Sequence, residues 1–79
     1  MSTTERAIKI IAQISGIKPS LITAERSIKS LDFDSIDGVE LLMDLEDEFA
    51  IDLVDEDAFA CKTVQDLIDL VAKGIWRQA

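Results

Sequence analysis

Apolar residues recur at helical spacing in three stretches of this 79-residue chain, and the breaks between them hold residues that start or stop helices. Ala7, Ile10, Ile11 and Ile14 form the first stripe. Ser2 with Glu5 three residues later fits a capping box at its start, and Gly16 supplies a left-handed stop. From Gly16 to Asp34 the periodicity lapses. Pro19 and several serines separate isolated apolar residues (Ile17, Leu21, Ile22, Ile28, Leu31), which predicts a long loop pinned to a core, with room for a short turn of helix.

The second stripe predicts a helix over 36–50, with Asp34 accepting from its orphan amides and Asp37 reinforcing the first turn. Winding it at about 100° per residue gathers Leu41, Leu42, Leu45 and Phe49 on one side, the core face. Asp37, Glu40, Asp44, Asp47 and Glu48 fall on the opposite arc. Ile36 and Met43, seven residues apart, lie at the border of those acids, which marks a docking surface; the plainer reading is that they widen the core stripe. After Ile51 and Leu53, the acids Asp55, Glu56 and Asp57 before Ala58 and Phe59 predict a short third helix. Thr63 with Asp66 begins the last, whose stripe is Val64, Leu67, Ile68, Val71 and Ile75, with Gly74, Trp76 and the polar end fraying. The expected fold is all-α: a small four-helix bundle, three longer helices and one short third helix, with a long loop between the first two. No segment supports a hairpin or a βαβ unit.

Composition narrows the function classes. The length suits one domain over residues 1–79, and 48% hydrophobic residues with one proline and three glycines exclude a disordered acidic tail. Net charge is −8, unevenly spread: residues 1–30 carry five basic and two acidic side chains, residues 31–69 one basic and fourteen acidic. Such a surface disfavours nucleic acid and anionic membranes and favours partners with basic patches. A single cysteine, Cys61, excludes an internal disulfide and a multi-thiolate metal site, and reads first as a small buried apolar residue. With no apolar run near the roughly 20 residues of a membrane span, the chain is expected to be a soluble, cytoplasmic monomer without membrane insertion.

Ser35 stands alone among Asp32, Asp34 and Asp37 where the loop turns into the second helix. The chain has no histidine and no lysine close to Ser35 in sequence, so this serine lacks the base a hydrolase nucleophile needs. A calcium loop fails on spacing: counted from Asp32, the fifth residue is Ile36, glycine comes seventh, and the twelfth is Met43 rather than a bidentate glutamate. No metal site is expected. A serine that cannot catalyse can still be a place to attach something.

The run Asp34-Ser35-Ile36-Asp37, followed by Val39-Glu40-Leu41-Leu42-Met43, Phe49-Ile51-Asp52-Leu53, Asp55-Glu56-Asp57-Ala58 and Thr63-Val64-Gln65-Asp66, resembles acyl carrier proteins in order and spacing over nearly the whole chain. The resemblance implies 4'-phosphopantetheine on Ser35, placed there from coenzyme A by a separate phosphopantetheinyl transferase. It implies a carrier rather than an enzyme, holding acyl intermediates as thioesters for fatty acid, modified lipid or polyketide synthesis. The implied partners are acyl-loading and acyl-using synthases or transferases. Ile36 and Met43 match the family's exposed apolar contacts; Asp34, Asp37, Glu40, Asp44, Glu46, Asp47 and Glu56 match or neighbour its acidic ones. Leu41, Leu45, Ile51, Phe59, Cys61 and Leu67 are the candidates to line a space for the acyl chain.

The chain departs from the family's habits at Asp32, where glycine is common, at Ile36 in place of leucine, at Val54 in place of proline, and at Asp44, Phe59 and the Trp76 tail. None removes the attachment chemistry, and together they admit a specialised pathway. Two other readings stay open: a carrier of aminoacyl, peptidyl or alanyl groups, and an unmodified helical adaptor.

Overall fold

Helix α1 (Thr3–Ser15) starts where the Ser2 hydroxyl accepts from Glu5 N at 3.1 Å and ends at Gly16, whose left-handed φ of 75° lets its N–H donate to Ala12 O at 2.9 Å. Both ends fall where the sequence predicts, but the expected box is only half formed, the Glu5 carboxylate accepting from the Ser2 hydroxyl at 3.3 Å instead of from the Ser2 N–H. In this computed structural model, which describes residues 1–76, the last two as backbone only, three further helices follow: α2 (Ser35–Phe49), α3 (Asp55–Phe59) and α4 (Val64–Ala72). Helix α4 opens on the expected box, Thr63 Oγ1 accepting from Asp66 N while Asp66 Oδ2 accepts from Thr63 N, both at 3.1 Å.

The core gathers Ala7, Ile10 and Ile11 of α1, Leu41 and Leu45 of α2, and Val64, Leu67, Ile68 and Val71 of α4. Burying each larger aliphatic side chain contributes about 1.5–3 kcal/mol gross, which is what holds these short helices against their chain entropy. The loop from Gly16 to Asp34 joins this core through Ile22 and Leu31, both buried, whereas Leu21, expected as an anchor, is exposed. It contains two 3-10 turns, Pro19–Leu21 and Ile28–Leu31. Three backbone bonds of 2.9 Å tie it across to the α3–α4 junction: Ile28 N to Lys62 O, Val64 N to Arg26 O, and Gln65 N to Ala24 O. The Arg26 guanidinium braces it from within, donating to Leu21 O, Ser30 Oγ and Ser30 O.

The sequence reads the end of α4 as a fraying helix, and here the structure differs. The helix stops at Ala72, and the chain returns as β2 (Ile75–Trp76), antiparallel to β1 (Ile51–Asp52), with Ile51 opposite Trp76 and Asp52 opposite Ile75. Gly74 permits this: a β-carbon there would stand 2.6 Å from Ile51 Cδ1 and 3.0 Å from Ile51 Cβ. The expected place of the Ile75 side chain in the core and the fraying of residues 77–79 lie outside the described residues.

Candidate functional site

The site grows from the start of α2. Asp34 is extended, with φ −85° and ψ −178°, and its Oδ1 accepts from Asp37 N at 2.8 Å while its own N–H reaches Asp37 Oδ2 at 3.4 Å. This reciprocal box fixes the first turn and makes Ser35 its first residue. Just upstream, Asp32 adopts the left-handed φ of 58° and ψ of 40°, turning the chain out of the 3-10 turn toward α2. Aspartate is among the few residues that take this conformation readily, so the departure from glycine at position 32 leaves the approach intact.

Ser35 is exposed, and its hydroxyl takes no hydrogen-bond partner among the described residues. The asymmetry of its surroundings carries the chemistry. On one side lies a cleft of about 360 Å³ whose walls include Ile28, Phe33, Leu41, Ala58 and Leu67, with Ser35 at its edge. On the other lies an open surface groove shared by Ser35, Ile36, Val39, Glu40, Met43 and Asp44. An arm joined to this hydroxyl thus has an apolar recess and a charged face within reach. A phosphodiester here also meets the positive end of α2, where the N–H groups of Ser35 and Ile36 remain open among the described residues. The residues fit a phosphate-linked prosthetic arm, and Ser35 is the residue that would hold it.

The predicted docking residues divide into groups. Ile36 and Met43 stand 75% and 58% exposed, so they form a surface stripe rather than a wider core stripe. Glu40 and Asp44 share their groove. Asp44 also borders, with Asp47 and Glu48, a second groove facing α1, so Asp47 belongs to a different aspect of the helix. The Glu46 carboxylate accepts from Leu53 N at 3.1 Å, which ties the end of α2 to the following loop and withdraws it from the docking stripe. Glu56 is exposed in the first turn of α3. Val39, 52% exposed, completes the apolar stripe between Ile36 and Met43; its i, i+3 spacing was legible and was missed.

Of the residues expected to line an acyl space, Leu41, Phe59 and Leu67 border the cleft beside Ser35. Phe59 is a rim rather than a wall, being 69% exposed. Leu45 and Ile51 do not line it: Leu45 lies one turn beyond Leu41 along α2, wholly inside the core, and Ile51 packs under Gly74. Cys61 borders a neighbouring, larger cleft of about 860 Å³ with Lys29 and Lys62. It is half-buried, and burial, with the carboxylates of Asp66, Asp57 and Asp69 behind it, pushes its thiol pKa up. Phe33 and Ala58 come to the cleft from other elements, and no local pattern announces them. Among the described residues no group of three or more carboxylate or thiol side chains is placed to hold a metal ion, and no helix is long and apolar enough to cross a membrane.

Comparison with known proteins agrees with this geometry. The family defined by the phosphopantetheine attachment site matches residues 5–71. The crystal structure of an acyl carrier protein from Thermotoga maritima superposes with a TM-score of 0.72 at 38% sequence identity, over 87% of this chain and 81% of that one. Family match, helical fold and an open serine at the mouth of α2 converge, and the chain belongs to the acyl carrier protein family, whose members are carriers bearing 4'-phosphopantetheine.

Proposed function

We propose that residues 1–79 act as one carrier domain in which Ser35 bears the 4'-phosphopantetheine arm, delivering acyl groups to enzymes of fatty acid, modified lipid or polyketide synthesis in the cytoplasm. The observation that carries this reading is the placement of Ser35: an exposed hydroxyl, unbonded among the described residues, on the first residue of α2, at the edge of an apolar cleft, within the matched span. When bound, the arm supplies a terminal thiol that holds an acyl group as a thioester. The protein's own residues do the rest. Asp34 and Asp37 hold the first turn rigid, so the attachment point is presented in one orientation. Ile36, Val39 and Met43 offer a small apolar stripe, and Glu40 and Asp44 flank it with charge. Contacts of this kind form and release quickly, as a carrier serving successive enzymes requires. The chain itself performs no catalysis: tethering raises the concentration of cargo at each partner's active site, and the partners make the bonds.

Intact mass after incubation with coenzyme A, magnesium and a broad-range phosphopantetheinyl transferase tests the assignment. Wild type gains one phosphopantetheine increment and Ser35→Ala gains none. A wild type that stays unmodified, or a Ser35→Ala chain that is modified equally, overturns it.

A further inference from the structure

Gly38 has no structural need to be glycine. Its backbone is not in the left-handed region, its N–H makes the ordinary helical bond to Asp34 O at 3.0 Å, and a β-carbon built on it meets nothing within 4 Å. Glycine is the poorest helix former after proline, so this position weakens α2 without relieving any crowding. The direction of the missing side chain explains more. Gly38 lies seven residues before the fully buried Leu45 and one turn before Leu41 and Leu42, and so belongs to the inward arc of the helix. An inward position with nothing to touch borders a void, and that void is the cleft Gly38 lines with Ser35, Leu41 and Leu67.

We propose that Gly38 is a specificity-determining residue: by lacking a side chain one turn along from Ser35, it keeps open the passage from the attachment point into the apolar cleft, and so decides whether an acyl chain long enough to enter is sheltered there. The inference rests on the reading of Ser35 as the attachment residue. A methyl group at position 38 narrows the mouth, and a leucine side chain fills it. The predicted ligand is the apolar portion of a medium-length acyl chain; an acetyl group is too short to enter and is indifferent to the substitution.

Holo protein loaded with octanoyl or acetyl groups, in wild type, Gly38→Ala and Gly38→Leu, tests this through the rate of thioester cleavage by hydroxylamine. In wild type the octanoyl thioester is cleaved more slowly than the acetyl. In Gly38→Leu the octanoyl rate rises to within about twofold of the acetyl rate, as expected once the sheltered state is no longer populated. Gly38→Ala falls between them and melts at a higher temperature than wild type. A folded Gly38→Leu that protects octanoyl as wild type does overturns the proposal, as does a wild type with no chain-length difference. If Gly38→Leu loses its helical circular dichroism, Gly38→Ala decides: undiminished protection there overturns the proposal. Mass spectrometry of each loaded species separates the two readings: a wild type without the arm sinks the Ser35 assignment and this inference together, whereas an arm with unaltered protection sinks this one alone.

Discussion

Two residues without glycine's freedom turn the chain left-handed, Asp32 at φ 58° and Ala50 at φ 53°. Aspartate tolerates this region; alanine gains nothing there, since its β-carbon crowds the following carbonyl by about 1–2 kcal/mol. Ala50 closes α2, donating its N–H to Glu46 O. Ala50→Gly is therefore expected to stabilise the protein by a net of about 0.5–1 kcal/mol after the greater freedom of glycine in the unfolded chain is subtracted, on the order of 2–8 °C in Tm for a domain this size. Thermal circular dichroism measures it, and an unchanged or lowered Tm counts against a left-handed Ala50. Asp66 gives a prediction with a sign. Its carboxylate accepts from the backbone of Lys62 and Thr63, which lowers its pKa below the ordinary 3.8 against an opposing effect of desolvation, with the Thr63 hydroxyl and the Lys62 charge assisting less. A lowered folded pKa means that the stabilisation is whole above the unfolded value and is lost as pH falls through the folded one. The Tm advantage of wild type over Asp66→Ala should hold steady near neutrality and close as pH falls below 3.8; a gap independent of pH contradicts the ionic origin.

Three of the four helix starts among the described residues were legible because each is written within four residues, while α3 begins at Val54 without a side-chain cap. Ser2 with Glu5, Asp34 with Asp37 and Thr63 with Asp66 pair a short acceptor with a carboxylate three positions on, and that local chemistry survives any tertiary arrangement. The pairing of β1 with β2 was not legible, because two-residue strands carry no alternation and their meeting depends on distant residues. Its key is the contact of Gly74 with Ile51. A β-carbon at 74 would also stand 3.1 Å from Val71 O, and that carbonyl, like Ile51 Cβ, belongs to packed structure that yields little. Gly74→Ala should destabilise the fold by about 1–3 kcal/mol, the usual effect of overpacking, and speed amide exchange at Ile51 and Asp52. Unaltered melting and exchange would show that the close approach does not persist in solution. The same contrast runs through the site. The exposure of Ile36 and Met43 was readable from one helix's periodicity, whereas the cleft wall of Phe33, Ala58 and Leu67 is assembled from three segments and needed the fold.

Across the whole molecule, charge is segregated: the stretch from residue 31 to 69 holds fourteen of the sixteen acidic side chains. A partner with a basic patch would be drawn to those acids at ionic strengths where screening extends over roughly 8–10 Å. Exposed ion pairs contribute only about 0.2–1 kcal/mol each, so neutralising Glu40 and Asp44 together should weaken binding to the phosphopantetheinyl transferase by about two- to thirtyfold. The difference should shrink at high salt while helical content is retained; calorimetric titration across salt concentrations measures it, and equal affinities at low salt would remove these two acids from the docking surface. Composition alone foretold the sign of this surface, and the fold was required to find that Glu46 faces Leu53 instead. The backbone rungs from Ala24, Arg26 and Ile28 to residues 62–65 tie the entrance of α2 to a segment that follows it far along the chain. A ribosome therefore delivers the serine well before the strip that braces the path leading into it, and that path stays unclosed until translation has passed residue 65. Synthesis itself separates the appearance of Ser35 from the completion of the fold around it.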